Sequence, residues 1–542
     1  MSSLVARRSS LVSVLIVLAG SAGAQGTVTL FVDDNPNGSP LPPSPSDGLG
    51  WATAFLTVQE ALVDARARAL TPSTADDVRE IWVAAGTYLT TPTTDRTISH
   101  ELVPGVEMFG GFAGNESGFG QRARLFDQTI LSGDIDGDPR NQLADSLHVV
   151  RIDDLGEYRL DGFSVMYGAA VPSGPATLPT DADDWGGGLL VNGAGVGEEA
   201  IDVVVTNCRF QACLAAVGAG VMAQGVDSFR MSRTRILNCI AYYPVFDLDV
   251  SGTVVPSGAG GGAFLWRCDE ALVYHSEFVS NRATYGGGIG FMGGNADRMV
   301  NCLVAKNSAT GGGGVLVYDG IPGIDPLRVS HLTIADNVVL AANPAQPQIL
   351  LDGGGVHVHG GSGMEVFSTI VWGNRNTLDA PPNGEESFAG SGLSSLLIDS
   401  SDIQFSQSTP TWLQVNPPGS PNPGSSPYNI SEDPLFVSAG AGDYRLTSSF
   451  FGPFSPCIER ANDFYLDGTN VEAGTGLLVG DVLDVDEDGD FADDVSLDLR
   501  LTPLFPREID DIPGNGSPLT NDYAVVLIKS DMGCYEAAST SP

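Results

Sequence analysis

From Gly258 to Asn374 the apolar residues come in bursts of four to seven, rich in Val, Ile, Phe and Leu, that read with a period of two. A glycine run opens each unit and a second burst closes it on Asn: Gly260–Asn281, Gly286–Asn307, Gly311–Asn337 and Gly353–Asn374. A degraded earlier copy spans Gly186–Cys213. The last glycine and the closing Asn stand 19 residues apart in three copies (Gly262 to Asn281, Gly288 to Asn307, Gly355 to Asn374) and 23 in the fourth, which carries an insertion. A period of about 20–40 residues marks a solenoid, and short period-two bursts punctuated by Gly and Asn make it a β-solenoid. A helical solenoid needs long runs with apolar residues at i, i+3 and i+4, and this stretch has none.

In a β-solenoid each strand pairs in parallel with its counterpart one coil away, about 4.8 Å distant, so like residues stack on like. Asn281, Asn307, Asn337 and Asn374 are therefore predicted to form one ladder at a turn, because an amide both donates and accepts. Glycine and Asn are predicted where the backbone takes positive φ, and the glycine runs where it passes too close to the next coil for a side chain. Cys208, Cys239 and Cys302 each follow an Asn, which places them at one repeat position as small core residues. His357 and His359 share a strand face and read as a solvent-facing pair. Trp266 and Trp372 read as isolated packing residues, with no aromatic stripe at the coil spacing.

Around the repeats, Thr27–Asp33 reads as a strand. Ala54 to Leu70 carries helical spacing, with Thr53 as its N-cap, and an amphipathic helix there suits the end of a solenoid, whose first coil otherwise exposes its core and an unpaired edge. Early coils are predicted at Glu80–Ala84, Val106–Phe109, Thr129–Ser132, His148–Ile152 and Tyr158–Met166, with longer insertions between them. The organisation expected is residues 25–79 for the first strand and capping helix, 80–375 for the solenoid, 376–432 for a last coil loosening into a Pro/Gly/Ser-rich linker, and 433–542 for a β-rich C-terminal cap.

The first 24 residues read as a signal peptide: Arg7 and Arg8, an apolar run Leu11–Ala19, and Ala22-Gly23-Ala24 before Gln25. That run is about half the length a bilayer requires, and no later segment is long and apolar enough to span as a helix. Ser9-Ser10-Leu11 is a poor continuation of a twin-arginine signal, so general secretion is expected. The chain has a net charge of −40, and only two of its 26 basic residues are lysine. That charge argues against nucleic acid, whose phosphates are repelled, and equally disfavours a polyanionic substrate unless a cation bridges it.

Several phrases outside the repeats extend the picture: Gly50-Trp51-Ala52-Thr53-Ala54-Phe55, Ile81-Trp82-Val83-Ala84-Ala85-Gly86-Thr87-Tyr88 and Phe109-Gly110-Gly111-Phe112 at the front. Asp433-Pro434-Leu435-Phe436, Asp443-Tyr444-Arg445-Leu446, Ser455-Pro456-Cys457-Ile458 and Asp531-Met532-Gly533-Cys534-Tyr535-Glu536 stand at the back. With the repeats they resemble secreted bacterial proteins of the pectate-lyase-like superfamily, of the kind abundant in planctomycete-type genomes. The resemblance implies a right-handed parallel β-helix with an N-terminal capping helix and a β-rich C-terminal cap, in an extracellular or cell-surface setting. Cys457 and Cys534 both lie in such phrases, and an exported location permits a disulfide between them.

Candidate chemistry is acidic. Asp484, Asp486, Asp488 and Asp490, with Gly489 between the last two, repeat the first half of a Ca²⁺ loop, although Val495 stands where an EF-hand has its bidentate Glu. Asp134-Ile135-Asp136-Gly137-Asp138 is a second such cluster, at a coil corner. The superfamily's lyases gather aspartates from one sheet around Ca²⁺ beside an arginine base. Here aspartates do not visibly recur at coil spacing near an Arg. The Gly-His-Gly and Arg-Ile-Lys phrases of the related hydrolases are missing, and zinc has no motif. Asp399 and Asp402 are neighbouring carboxylates, but linker-like sequence flanks them. The expected role is a non-catalytic scaffold binding a glycan or a surface protein, with a polysaccharide lyase or glycoside hydrolase as the alternative. An enzyme predicts a groove where acidic residues from three or more neighbouring coils converge beside an Arg or Lys; a scaffold predicts acids scattered over corners with no such groove.

Overall fold

A computed structural model describes residues 27–34, 46–70, 77–122, 128–171, 182–193, 201–241, 258–318, 325–340, 353–359, 362–377, 388–390, 395–399, 401–404, 429–446, 455–457, 470–471 and 478–479. The signal-peptide region, Asp484 to Asp490 and Cys534 lie outside them. Within them the chain winds into a parallel β-helix. Sheet one has eleven strands, from Thr27–Val32 through Asp77–Ala84 to Ser395–Asp399. Sheet two has ten, from Gly86–Leu89 to Asp402–Ile403, and sheet three nine, from His100–Glu101 to Phe388–Gly390. Every pairing in these three sheets is parallel and links one coil to the next, as Val203–Phe229–Ala271 does in sheet one.

Alternation along each strand sends one set of side chains inward. In sheet two Phe210, Ile236, Phe278, Val304, Ile334, Val371 and Ile403 stack in register, all fully buried. The core is continuous because each coil buries its apolar face on the two beside it.

The predicted ladder is present. Asn281, Asn307, Asn337 and Asn374 are buried one above another after sheet two, each Nδ2 donating to the next Oδ1 at 3.0–3.1 Å. The left-handed backbone, however, belongs to the residue before each Asn: Ser280, Lys306, Asp336 and Gly373 have φ of 58°, 57°, 55° and 69°. The ladder Asn is selected for its amide, and the turn is taken by whatever precedes it. The cysteines also need correcting. Cys208 and Cys302 share the turn after sheet one, but Cys239 stands in the ladder column, level with Asn281, whose Oδ1 accepts its N–H at 2.9 Å. All three are buried, as expected of core residues.

The capping helix is Val58–Ala69, and Thr57, not Thr53, is its N-cap. The Thr57 hydroxyl accepts from the Glu60 N–H and the Glu60 carboxylate from the Thr57 N–H, a capping box that the Ala54 start did not anticipate. Val58, Ala61, Leu62 and Ala65 join the core, sealing its first coil. At the other end, Ile430 adds a bridge beside Asp402. The chain then doubles back as an antiparallel hairpin, Phe436–Ser438 with Asp443–Leu446. Tyr444 packs against Leu303, Ala305 and Ala335 on the outside of sheet two, and its hydroxyl donates to Asp336 Oδ2 at 2.9 Å.

Candidate functional site

The outer face of sheet one carries a groove of about 570 Å³, lined by Glu107, Glu157, Asp202 and Glu270 together with Arg79, Arg159 and Arg230. Two columns of outward-pointing side chains build it. Glu157, Asp202, Ser228 and Glu270 are in register on successive coils. Two residues further along the strands run Glu107, Arg159, Val204, Arg230, Leu272, Arg298, Arg328 and Glu365. Strand geometry sets the columns about 7 Å apart and the steps within each at about 4.8 Å. Asp227 and Asp269 adjoin the acidic column, and burial together with the charges of Asp269 and Asp202 raises the Asp227 carboxyl above its usual range. Two of the arginines in this column are held by contacts: Arg328 Nε meets Glu365 Oε2 at 2.9 Å, and Arg159 lies 5.9 Å over the Phe109 ring and 3.9 Å from Asp161 Oδ2.

Carboxylates from three neighbouring coils, Glu107, Glu157 and Asp202, thus line one groove with arginines; the sequence reading concerned aspartates, and of these three only Asp202 is one. Chemically the groove offers an acceptor ridge for hydroxyls or cations and a guanidinium ridge for carboxylates.

A second acidic centre lies at the corner between sheets two and three. Asp134, Asp136 and Asp145 bring carboxylate oxygens within 4.8 Å of one another. Burial, reinforced by the Asp134 and Asp136 charges, pushes Asp145 up to about 8. Asp145 replaces Asp138 in this set. Asp138 instead accepts the Arg140 N–H at 3.1 Å.

The other predicted positions resolve differently. Asp402 is buried, its Oδ2 accepting from the Cys457 thiol at 3.0 Å, which separates it from solvent and from acid/base work; burial raises it to about 6. Cys457 is itself buried. His357 is 2 % exposed, level with Leu316, so it does not face solvent, while His359 is partly exposed. The ring of His359 stacks on Tyr318 at 5.0 Å. An aromatic and apolar stripe does recur at coil spacing on sheet three: Trp266, Met292, Tyr318 and His359 are in register, with Trp185 edge-on to Trp266 at 5.9 Å. Trp266, Met292 and Tyr318 are buried, so this stripe is packing and not an open track.

The family described as "Right handed beta helix region" matches residues 187–407. Among solved structures, pectate lyase Pel9A is similar at 11% identity and a TM-score of 0.32, over 85% of this chain and 97% of its own. A pectin methylesterase in complex with a hexasaccharide is similar at 10% identity and a TM-score of 0.25, over 77% of this chain and 98% of its own. Pectin methylesterase PemA from Erwinia chrysanthemi is similar at 12% identity and a TM-score of 0.24, over 72% of this chain and 92% of its own. No curated protein sequence matches. Among the described residues, no helix is long and apolar enough to cross a membrane.

Proposed function

We propose that this chain is exported and binds an extended, carboxylate-bearing polysaccharide along the outer face of sheet one. The observation that carries the reading is the pairing of two in-register columns, acids at Glu157, Asp202 and Glu270 and guanidiniums at Arg159 and Arg230. On a chain of net charge −40, a local arginine ridge is what lets an acidic sugar approach. Guanidinium forks take carboxylates in bidentate fashion, while the facing acids accept from sugar hydroxyls or hold a bridging cation. The coil repeat gives the ligand an extended path.

The same convergence of acids from neighbouring coils beside arginines favours a second reading, cleavage of that polysaccharide. One experiment separates the two. The full mature chain is incubated with polygalacturonate, alginate and a neutral glucan, with and without Ca²⁺, while retention and product release are both measured. Retention of the acidic polymers without shorter products supports binding alone, and release of unsaturated or reducing ends establishes the enzyme. Equal retention of the neutral glucan, or none of any polymer, removes the proposal.

A further inference from the structure

The sheet-two strand pairs as far as Ser132–Met166, and the chain rejoins the next coil at Ser146, whose carbonyl accepts the Ala169 N–H at 2.7 Å; residues 134–145 are thus an insertion at the corner whose column, through Gly168, Cys213 and Cys239, leads to the Asn ladder. In the later coils this corner is closed by amide hydrogen bonds. Here three carboxylates meet instead, each turning an oxygen to within 4.8 Å of the others. Asp145 is 0% exposed, and neither of its carboxylate oxygens has a hydrogen-bond partner; Asp134 Oδ1 is likewise buried without one. The adjacent cation is already committed. Arg96 Nε donates to the main-chain carbonyl of Asp145 at 2.6 Å and its Nη2 to that of Ala169 at 2.7 Å. Asp136, exposed on the loop, is oriented by the Asp138 N–H at 2.9 Å on Oδ1 and the Asn141 amide at 2.7 Å on Oδ2. Buried carboxylate oxygens without donors, facing one another, are relieved by a proton held between them or by a cation among them, and a cation can serve all three groups at once.

We propose that Asp134, Asp136 and Asp145 bind a Ca²⁺ ion. The donor set is all oxygen, which suits a hard cation, and an ion bonded at about 2.4 Å bridges oxygens up to about 4.8 Å apart. The site joins the two ends of the loop between Ser132 and Ser146, so the ion fastens the early corner as amides fasten the later one. It is independent of the sheet-one groove.

Arg140, exposed in the middle of that loop, supplies a local readout. Chelator-treated full-length protein is digested with trypsin over a Ca²⁺ titration, and cleavage after Arg140 is followed by mass spectrometry. Ca²⁺ at ten times its Kd is expected to slow this cleavage about tenfold, with Kd of about 10⁻⁴–10⁻³ M. Asp145→Asn should abolish the protection. Asp136→Asn should do the same, and because Asp136 is exposed this variant still decides the matter if the buried one fails to fold. A variant carrying Asp486→Asn and Asp488→Asn must keep the protection, which separates this site from the other acidic loop. Cleavage after Arg140 that ignores Ca²⁺, or protection undiminished in Asp136→Asn, overturns the proposal.

Discussion

The side-chain amide of Asn307 donates to Oδ1 of Asn337 at 3.0 Å and to the carbonyl of Phe278 at 2.8 Å, so one buried group links three successive coils. Its own Oδ1 accepts both the main-chain N–H and the side-chain amide of Asn281, at 2.9 and 3.1 Å. Asn307→Ala removes all four bonds and leaves the Asn281 N–H, the Asn281 amide and the Phe278 carbonyl each short of a partner, while Asn337 Oδ1 keeps the Asn307 main-chain N–H at 2.9 Å. At about 1–3 kcal/mol for each buried group left unsatisfied, a loss of several kcal/mol is expected from denaturant midpoints. A loss below about 0.5 kcal/mol, the range of an ordinary surface change, contradicts the ladder's role.

The glycine runs are tested at Gly287. A Cβ there would collide with the main-chain carbonyl oxygens of Gly313 and Ser308, in the neighbouring coil. Neither can retreat without breaking the sheet pairing beside it. Gly287→Ala is expected to lower stability by about 1–3 kcal/mol or more, whereas Gly50→Ala, with open space around it, is expected to be near neutral. Thermal unfolding of the two variants side by side checks this, and equal midpoints contradict it.

Two buried titratable groups give opposite pH dependences. Asp297 occupies an inward-facing position, 5% exposed, and burial pushes it from 3.8 up to about 8. The stability it supports is complete below about pH 3.8 and drains away as pH rises through about 8. Asp297→Asn retains an acceptor for the Ala271 N–H, 3.2 Å away, so its advantage over the wild type should grow between those limits.

His275, 3% exposed, has no hydrogen-bond partner at either ring nitrogen, and burial pushes it from 6.5 down to about 3. Its contribution is complete above about pH 6.5 and is lost as pH falls toward about 3. His275→Asn, suited to the φ of 47° there, should flatten the acid side. Urea midpoints across this range check both, and curves parallel to the wild type refute the assignment.

The architecture was legible because stacking repeats the same residue type at the same place. Asn281 to Asn374 announced their ladder, and Gly262, Gly288 and Gly314 the close approach of coils. The groove was not legible, for a physical reason. Glu157, Asp202, Ser228 and Glu270 occupy one column, but insertions of unequal length between strands keep them from recurring at any fixed interval. Parallel pairing restores a register that counting along the chain conceals. Trp266, Met292 and Tyr318 stand 26 residues apart, and the stripe went unread because Met292 interrupts its aromatics and an insertion precedes His359; the shared Asn-Cys dipeptide hid the separation of Cys239 from Cys208. Asp145 escaped notice because it enters its cluster through a loop closure, which no spacing motif describes.

The binding reading rests on the arginine ridge, and calorimetric titration of polygalacturonate into wild type and an Arg159→Ala/Arg230→Ala double variant tests it most directly. Two charge-assisted contacts of about 1.5–3 kcal/mol each predict a loss of at least a hundredfold in affinity for the double variant, with its unfolding transition preserved. Unchanged affinity in a folded double variant would contradict the account.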